Sequence, residues 1–160
     1  MRGLAAERYL EAARAIRLVP GARALIDTMR REGAHTMIIS GGFRAFTALV
    51  RDMLGMDEDV SNDVEIVDGA LTGRLVSPVL GRDGKADALR QTAAARGIPM
   101  ALTMAVGDGA NDRAMVQAAR LGVAFSAKPA LRGHAAVRID HGDLTALLYL
   151  QGYRAGEIRP

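Results

Sequence analysis

Ser40-Gly41-Gly42-Phe43 sets a hydroxyl directly before two glycines. At the end of a strand and the start of a helix, such a run can hold a phosphate. The hydroxyl offers one hydrogen bond, and the glycines leave backbone N–H groups open to an anion. Taken alone, the run equally describes an ordinary strand-to-helix turn with Ser40 as the helix cap. Lys85 is one of two lysines in a chain whose other basic side chains are almost all arginine. A compact ammonium held against one oxygen cannot be replaced by a planar guanidinium, whereas a solvated lysine exchanges freely with arginine. By itself Lys85 also fits a surface position at a helix start, and Lys128, the other lysine, fits a solvated loop charge. Gly107-Asp108-Gly109-Ala110-Asn111-Asp112 holds two carboxylates four residues apart, a glycine after the first and an amide between them. Such oxygens can converge on one hard cation at a strand end. A capped turn would account for Asp108 and Gly109 but not for polar groups recurring through Asp112.

For these groups to act together, each has to stand at the C-terminal end of a strand in a parallel sheet. The apolar run 36–39 ends at Ser40, and 43–54 returns to helical spacing. A second apolar run, 102–106, ends at Gly107 and is followed by helical spacing over 111–120, while 85–96 forms another helical stretch. Two helices, 4–16 and 22–31, open the chain around Pro20-Gly21. Residues 64–67 and 71–80 alternate around Asp68-Gly69 and predict a hairpin. Short strands are expected at 122–125 and 137–139, a closing helix at 143–150, and a loosely tethered tail after Gly152. The alternation predicts an α/β fold with a mostly parallel sheet.

Composition narrows the class. A chain of 160 residues that is 49% hydrophobic can bury the core of one domain. The formal charge is only +3 and the basic residues are scattered, Arg30-Arg31 being too short for a nucleic-acid-binding arm. With no cysteine, neither a disulfide framework nor a Cys-based zinc site can form. No apolar run reaches the ~18 residues that a membrane span requires. A cytoplasmic protein without nucleic-acid or membrane partners is the expectation. His35 is expected to pack beside its strand and His134 and His141 to lie on the surface, none of them as a ligand. Met37, Met104 and Met115 suit core filling.

A hydroxyl, an ammonium and a carboxylate pair, each on its own strand–helix element, are far more specific together than singly. The runs at 40–43 and 107–112, with Leu71-Thr72-Gly73, Lys85 and Ala127-Lys128-Pro129, resemble the phosphoserine phosphatases of the haloacid dehalogenase superfamily. The resemblance extends from about residue 20 to residue 149. It implies that Ser40 and the Gly41 N–H bind the transferring phosphoryl group, and that Lys85 bridges this group and the nucleophilic carboxylate. Asp108 would ligate Mg²⁺ directly, Asp112 would support the same metal loop, and Asn111 would contact substrate or a metal-bound water. Lys128 would support Asp108 and Asp112. The implied fold is a three-layer Rossmann-like core over residues 20–160, with 1–19 as the remnant of a helical cap. The implied reaction is Mg²⁺-dependent hydrolysis of O-phospho-L-serine to serine and phosphate, the last step of serine biosynthesis.

The family reaction passes through an aspartyl-phosphate on the first Asp of an Asp-x-Asp-x-Thr motif, whose second Asp is general acid and base. No such motif occurs in these residues, since Asp108 to Asp112 matches the metal loop by order and position. The resemblance therefore implies that a central first strand and the front of the cap lie before residue 1. The isolated chain is then expected to be inactive; a gene fragment, a misassigned start and one chain of a two-chain enzyme completed by an N-terminal segment all fit. Arg44 and Arg113 stand where the family more often has a small hydroxyl residue and an apolar one. Two other readings are a non-catalytic pseudo-phosphatase that binds Mg²⁺ or a phosphorylated ligand, and another phosphatase of the superfamily. Lys85 speaks against the first, because its family role is to neutralise a carboxylate that a pure binding module would not need.

Overall fold

A computed structural model describes residues 1–76, 78–81 and 83–158. In chain order the elements are α1 (Ala6–Arg14), α2 (Ala22–Arg31), β1 (Met37–Phe43), α3 (Arg44–Leu54), β2 (Glu58–Val67), β3 (Ala70–Val76), α4 (Gly84–Ala95), β4 (Met104–Gly107), α5 (Arg113–Ala118), β5 (Leu121–Phe125), α6 (Pro129–Arg132), β6 (Val137–Ile139) and α7 (Ala146–Leu150). They form two compact units, Met1–Val79 with Asp143–Pro160, and Leu80–Gly142. The mostly parallel sheet expected from the alternation is present as two three-stranded sheets, β1-β2-β3 and β4-β5-β6. Among the described residues, β2–β3 is the antiparallel strand pair and the other strand pairs are parallel. Among the described residues, no strand pairs with the outer edge of β1 or of β4.

In the first unit, α2 turns Ala22, Ala24, Leu25 and Thr28 inward, and Leu147 and Leu148 of α7 are wholly buried. Gly21 precedes α2 at φ 79°, and a Cβ there would lie 2.8 Å from the Leu144 nitrogen, so the chain can pass only as glycine. The helix expected over 4–16 begins at Ala6, because Leu4 accepts a hydrogen bond from the Leu71 N–H and Gly3 donates to the Leu71 carbonyl. Tyr9 of α1, 4% exposed, packs edge-on against Phe43 and Phe46. The hairpin turns at Asp68 and Gly69, both at positive φ; Ser77, in the run expected to continue its second strand, lies outside the described residues. The tail departs from expectation, since 155–157 form a 3₁₀ turn and Arg31 donates to the Glu157 carbonyl at 3.1 Å. Its last two residues lie outside the described set.

Two corrections concern the strands that carry Ser40. β1 does not stop at residue 39: it pairs Ile39 with Val60 and then Phe43 with Asn62, so Ser40-Gly41-Gly42 bulge out between the two registers. β2 begins at Glu58, well before residue 64. Its inward residues Asp59, Ser61 and Asn62 are polar and gave no apolar alternation, yet each is buried with partners.

In the second unit, β4-β5-β6 are parallel, and Val123 and Ala124 of β5 are fully buried. Val116, Ala124, Ala127 and Leu131 form a core cluster under α5 and α6. Gly122 lets β5 run against α5, where a Cβ would meet the Val116 carbonyl oxygen at 2.0 Å. The strand expected at 102–106 is shifted to Met104–Gly107, behind a 3₁₀ turn over Met100–Leu102. The helix expected over 111–120 is a 3₁₀ turn, Ala110–Asp112, followed by the short α5. Met115 is buried and Met37 and Met104 are half-buried. His35 packs beside β1 with its side chain 10% exposed, His141 is exposed, and His134 is half-buried where a surface position was expected. Among the described residues, no helix is long and apolar enough to cross a membrane.

Candidate active site

One candidate group, in the first unit, is the β1 bulge. Ser40 is half-buried and Gly41 and Gly42 are exposed. The Gly42 N–H donates to Ser40 Oγ at 3.0 Å, and the Gly41 carbonyl accepts from Asn62 Nδ2 at 2.9 Å. A Cβ on Gly41 would meet nothing within 4 Å. α3 starts directly after the bulge, with Phe43 at its cap position making no side-chain cap bond. Ser40 therefore does not cap α3, and its Oγ accepts from the Gly42 N–H instead.

The other candidate group, in the second unit, stands at the end of β4. Asp112, 4% exposed, takes the Asp108 and Gly109 N–H groups on Oδ2 at 3.0 and 3.1 Å and Lys85 Nζ on Oδ1. Both carboxylate oxygens are thus used within the protein. Gly107 is required by this arrangement, since a Cβ would lie 2.4 Å from Asp112 Cβ. Lys85, 9% exposed, reaches Asp112 from the first turn of α4. Asp108 points elsewhere: its side chain is 65% exposed, 3.9 Å from Lys128 Nζ, and its carbonyl accepts the Lys128 N–H at 2.7 Å. Asn111 is exposed in the same loop. The structure thus brings Lys85, Asp108, Asn111, Asp112 and Lys128 together in one unit, while Ser40 and Gly41 belong to the other.

Burial by itself would push the Asp112 carboxyl up. The Lys85 hydrogen bond, the two backbone N–H bonds and the Lys85 charge outweigh it and hold the group below its ordinary value of 3.8. A depressed carboxyl contributes stability that is complete above the unfolded value and is lost as pH falls through the folded one. Urea unfolding followed against pH should show this loss on the acid side of 3.8 in the wild type. Asp112→Asn should be less stable at neutral pH by roughly 3–5 kcal/mol, the cost of leaving a buried charge unpaired, and should lack that acid-side slope. Equal neutral-pH stability would contradict the pairing.

Among the described residues, no group of three or more His, Cys, Asp or Glu side chains is placed to hold an ion. An all-protein cage is therefore not supplied. Mg²⁺ needs less, because it keeps several waters and binds through one or two carboxylates plus substrate phosphate. The exposed carboxylate of Asp108, loosely paired with Lys128, fits that requirement, and Asp112 fits a supporting place.

Two features escaped the reading of the sequence. Asp57-Glu58-Asp59 is the one place where two aspartates are spaced by a single residue. It opens β2 instead of ending a strand, and both carboxylates are occupied. Asp57 accepts from the Thr36 N–H and hydroxyl at 2.7 and 2.8 Å, and Asp59, with its side chain 1% exposed, is held by Arg51 and by Thr47 at 3.0 Å. Neither is placed as an open nucleophile. The other feature is Asn62, 3% exposed, whose contact to Gly41 spans 21 residues and leaves no local pattern.

Residues 1–117 match the haloacid dehalogenase-like hydrolase family. The chain is 49% identical over 156 residues to a phosphoserine phosphatase of Mycobacterium tuberculosis, and 47% identical over 143 residues to one of Streptomyces coelicolor. These alignments cover 98% and 89% of the chain but only 38% and 35% of those relatives. The chain thus spans well under half of their length. A substrate-bound phosphoserine phosphatase structure superposes with a TM-score of 0.89 at 34% identity, over 93% of this chain and 71% of that one.

Proposed function

Because the chain belongs to the haloacid dehalogenase-like hydrolase family, we propose that it carries the phosphate-holding and metal-holding groups of a phosphoric monoester hydrolase acting on O-phospho-L-serine. The observation that carries this reading is the buried Lys85–Asp112 pair with the Asp108 and Gly109 N–H groups on the same carboxylate. It fixes an ammonium and leaves the Asp108 side chain exposed. A surface lysine needs no such partner.

Each residue then has a task. Ser40 and the Gly41 N–H donate to phosphoryl oxygens, and Lys85 offsets the charge that builds on the transferring group and on the acceptor carboxylate. Asp112 holds Lys85 and shapes the metal loop. Asp108 is assigned to Mg²⁺, Asn111 to substrate or a metal-bound water, and Lys128 to the Asp108 loop. When bound, Mg²⁺ would polarise the phosphoryl group and neutralise its charge. Residues 1–19 are assigned to a helical cap and 20–160 to the core. With this substrate go serine biosynthesis, a cytoplasmic location and an acceptor Asp-x-Asp-x-Thr strand supplied from outside residues 1–160. The relatives named phosphoserine phosphatase support the substrate.

Calorimetric titration tests the metal assignment without any turnover. Mg²⁺ should bind weakly to residues 1–160, and Asp108→Asn should weaken it further, because a hard cation loses the exposed carboxylate assigned to it. Tight binding that survives Asp108→Asn would overturn the assignment.

A further inference from the structure

The bulge at Ser40-Gly41-Gly42 is an unusual way to present a hydroxyl. Three residues of β1 leave the ladder between Ile39↔Val60 and Phe43↔Asn62. Backbone groups released from a ladder are free to rotate unless something else fixes them. Here the fixing group is the Asn62 side chain, which rises from the next strand and donates Nδ2–H to the Gly41 carbonyl at 2.9 Å. The amide orientation follows from chemistry, since a carbonyl can only accept.

That one bond sets the rest. The Gly41 C=O and the Gly42 N–H belong to one planar trans peptide and point in opposite directions. Holding the carbonyl toward Asn62 turns the Gly42 N–H the other way, where it donates to Ser40 Oγ at 3.0 Å. A hydroxyl whose oxygen accepts from an N–H must direct its own hydrogen elsewhere. Ser40 is thereby prepared as a donor, the polarity that an anionic phosphoryl oxygen requires. A Cβ on Gly42 would stand 3.1 Å from Ser40 Oγ, so the relay is close enough that even a methyl group would crowd it.

We infer that Asn62 is a positioning residue, which acts through the Gly41–Gly42 peptide to set the Ser40 hydroxyl as a phosphate donor. This rests on the reading of Ser40 as a phosphate-binding group. Asn62 itself touches no substrate in this account. Its burial and its place on β2 make it a rigid post behind a loop of two glycines, the most flexible residues available for the turn.

The test is a titration of inorganic phosphate into ¹⁵N-labelled residues 1–160 in excess Mg²⁺, followed by the Gly41 and Gly42 amide signals. It is run on the wild type, Ser40→Ala, Asn62→Ala and the double variant. Ser40→Ala is expected to weaken phosphate binding about tenfold, as for loss of one hydrogen bond to a charged group. Asn62→Ala should weaken it by a similar factor, and the double variant should bind no more weakly than Ser40→Ala alone. If Ser40→Ala weakens binding but Asn62→Ala does not, the inference falls and the reading of Ser40 stands. Equal losses from Asn62→Ala in both backgrounds would make Asn62 a merely structural residue, again overturning the inference. No effect of Ser40→Ala, or no phosphate binding by the wild type, would remove the underlying reading as well. Should Asn62→Ala fail to fold, isosteric Asn62→Asp takes its place. Its charge repulsion persists without the Ser40 hydroxyl, whereas the positioning effect disappears.

Discussion

Lys85→Arg, in the chain completed by a segment that carries an Asp-x-Asp-x-Thr strand, should lower phosphate release from phosphoserine by about a hundredfold or more, the usual effect of removing a charge-stabilising donor from an enclosed site. The charge is unchanged by this substitution, so the loss would come from shape. Lys85 is 9% exposed and places a single Nζ on Asp112 Oδ1. A guanidinium spreads the same charge over a planar fork that is wider than this position and donates in fixed directions. The effect should fall on kcat more than on KM, since the role assigned to Lys85 is strongest when charge builds on the transferring group. Urea unfolding of the same variant separates a lost catalytic group from a collapsed pair. Turnover close to normal with an intact fold would reduce Lys85 to a structural partner of Asp112.

The parts of the site that the sequence made legible are those whose chemistry is local. Gly107 to Asp112 announces itself because its glycines and carboxylates lie within one loop, and the structure places Asp112 on the N–H groups of that same loop. Lys85 stood out through residue usage, not position. Asn62 did not stand out, because its meaning depends on a carbonyl 21 residues earlier that becomes available only when β1 bulges. The start of β2 was hidden for a related reason. Asp59, Ser61 and Asn62 read as a polar loop until Thr47 and Arg51 of α3 and the Gly41 carbonyl supply their partners. Hydrophobic periodicity finds faces that are buried apolar and misses faces that are buried polar and satisfied. The helix limits shifted for local reasons, as at Ala6, where backbone pairing to β3 replaces the first turn.

The central claim is that residues 1–160 hold the phosphate and metal groups but not the acceptor of a phosphoryl transfer. Covalent transfer needs a positioned nucleophile, and the Asp57-Glu58-Asp59 carboxylates are already occupied. Loss of a nucleophile costs on the order of 10⁴-fold or more in enzymes that depend on one. The outer edges of β1 and β4, unpaired among the described residues, should also favour association between chains. A separate polypeptide bearing the Asp-x-Asp-x-Thr strand and cap should cover such an edge, raise solubility and restore activity together. The direct measurement is inorganic phosphate released from phosphoserine in Mg²⁺, by protein freed of host phosphatases, with and without that polypeptide. The account predicts background release from residues 1–160 alone and Mg²⁺-dependent turnover on addition of the polypeptide. Robust Mg²⁺-dependent turnover by residues 1–160 alone, abolished by Asp108→Asn, would contradict it and place an acceptor within this chain.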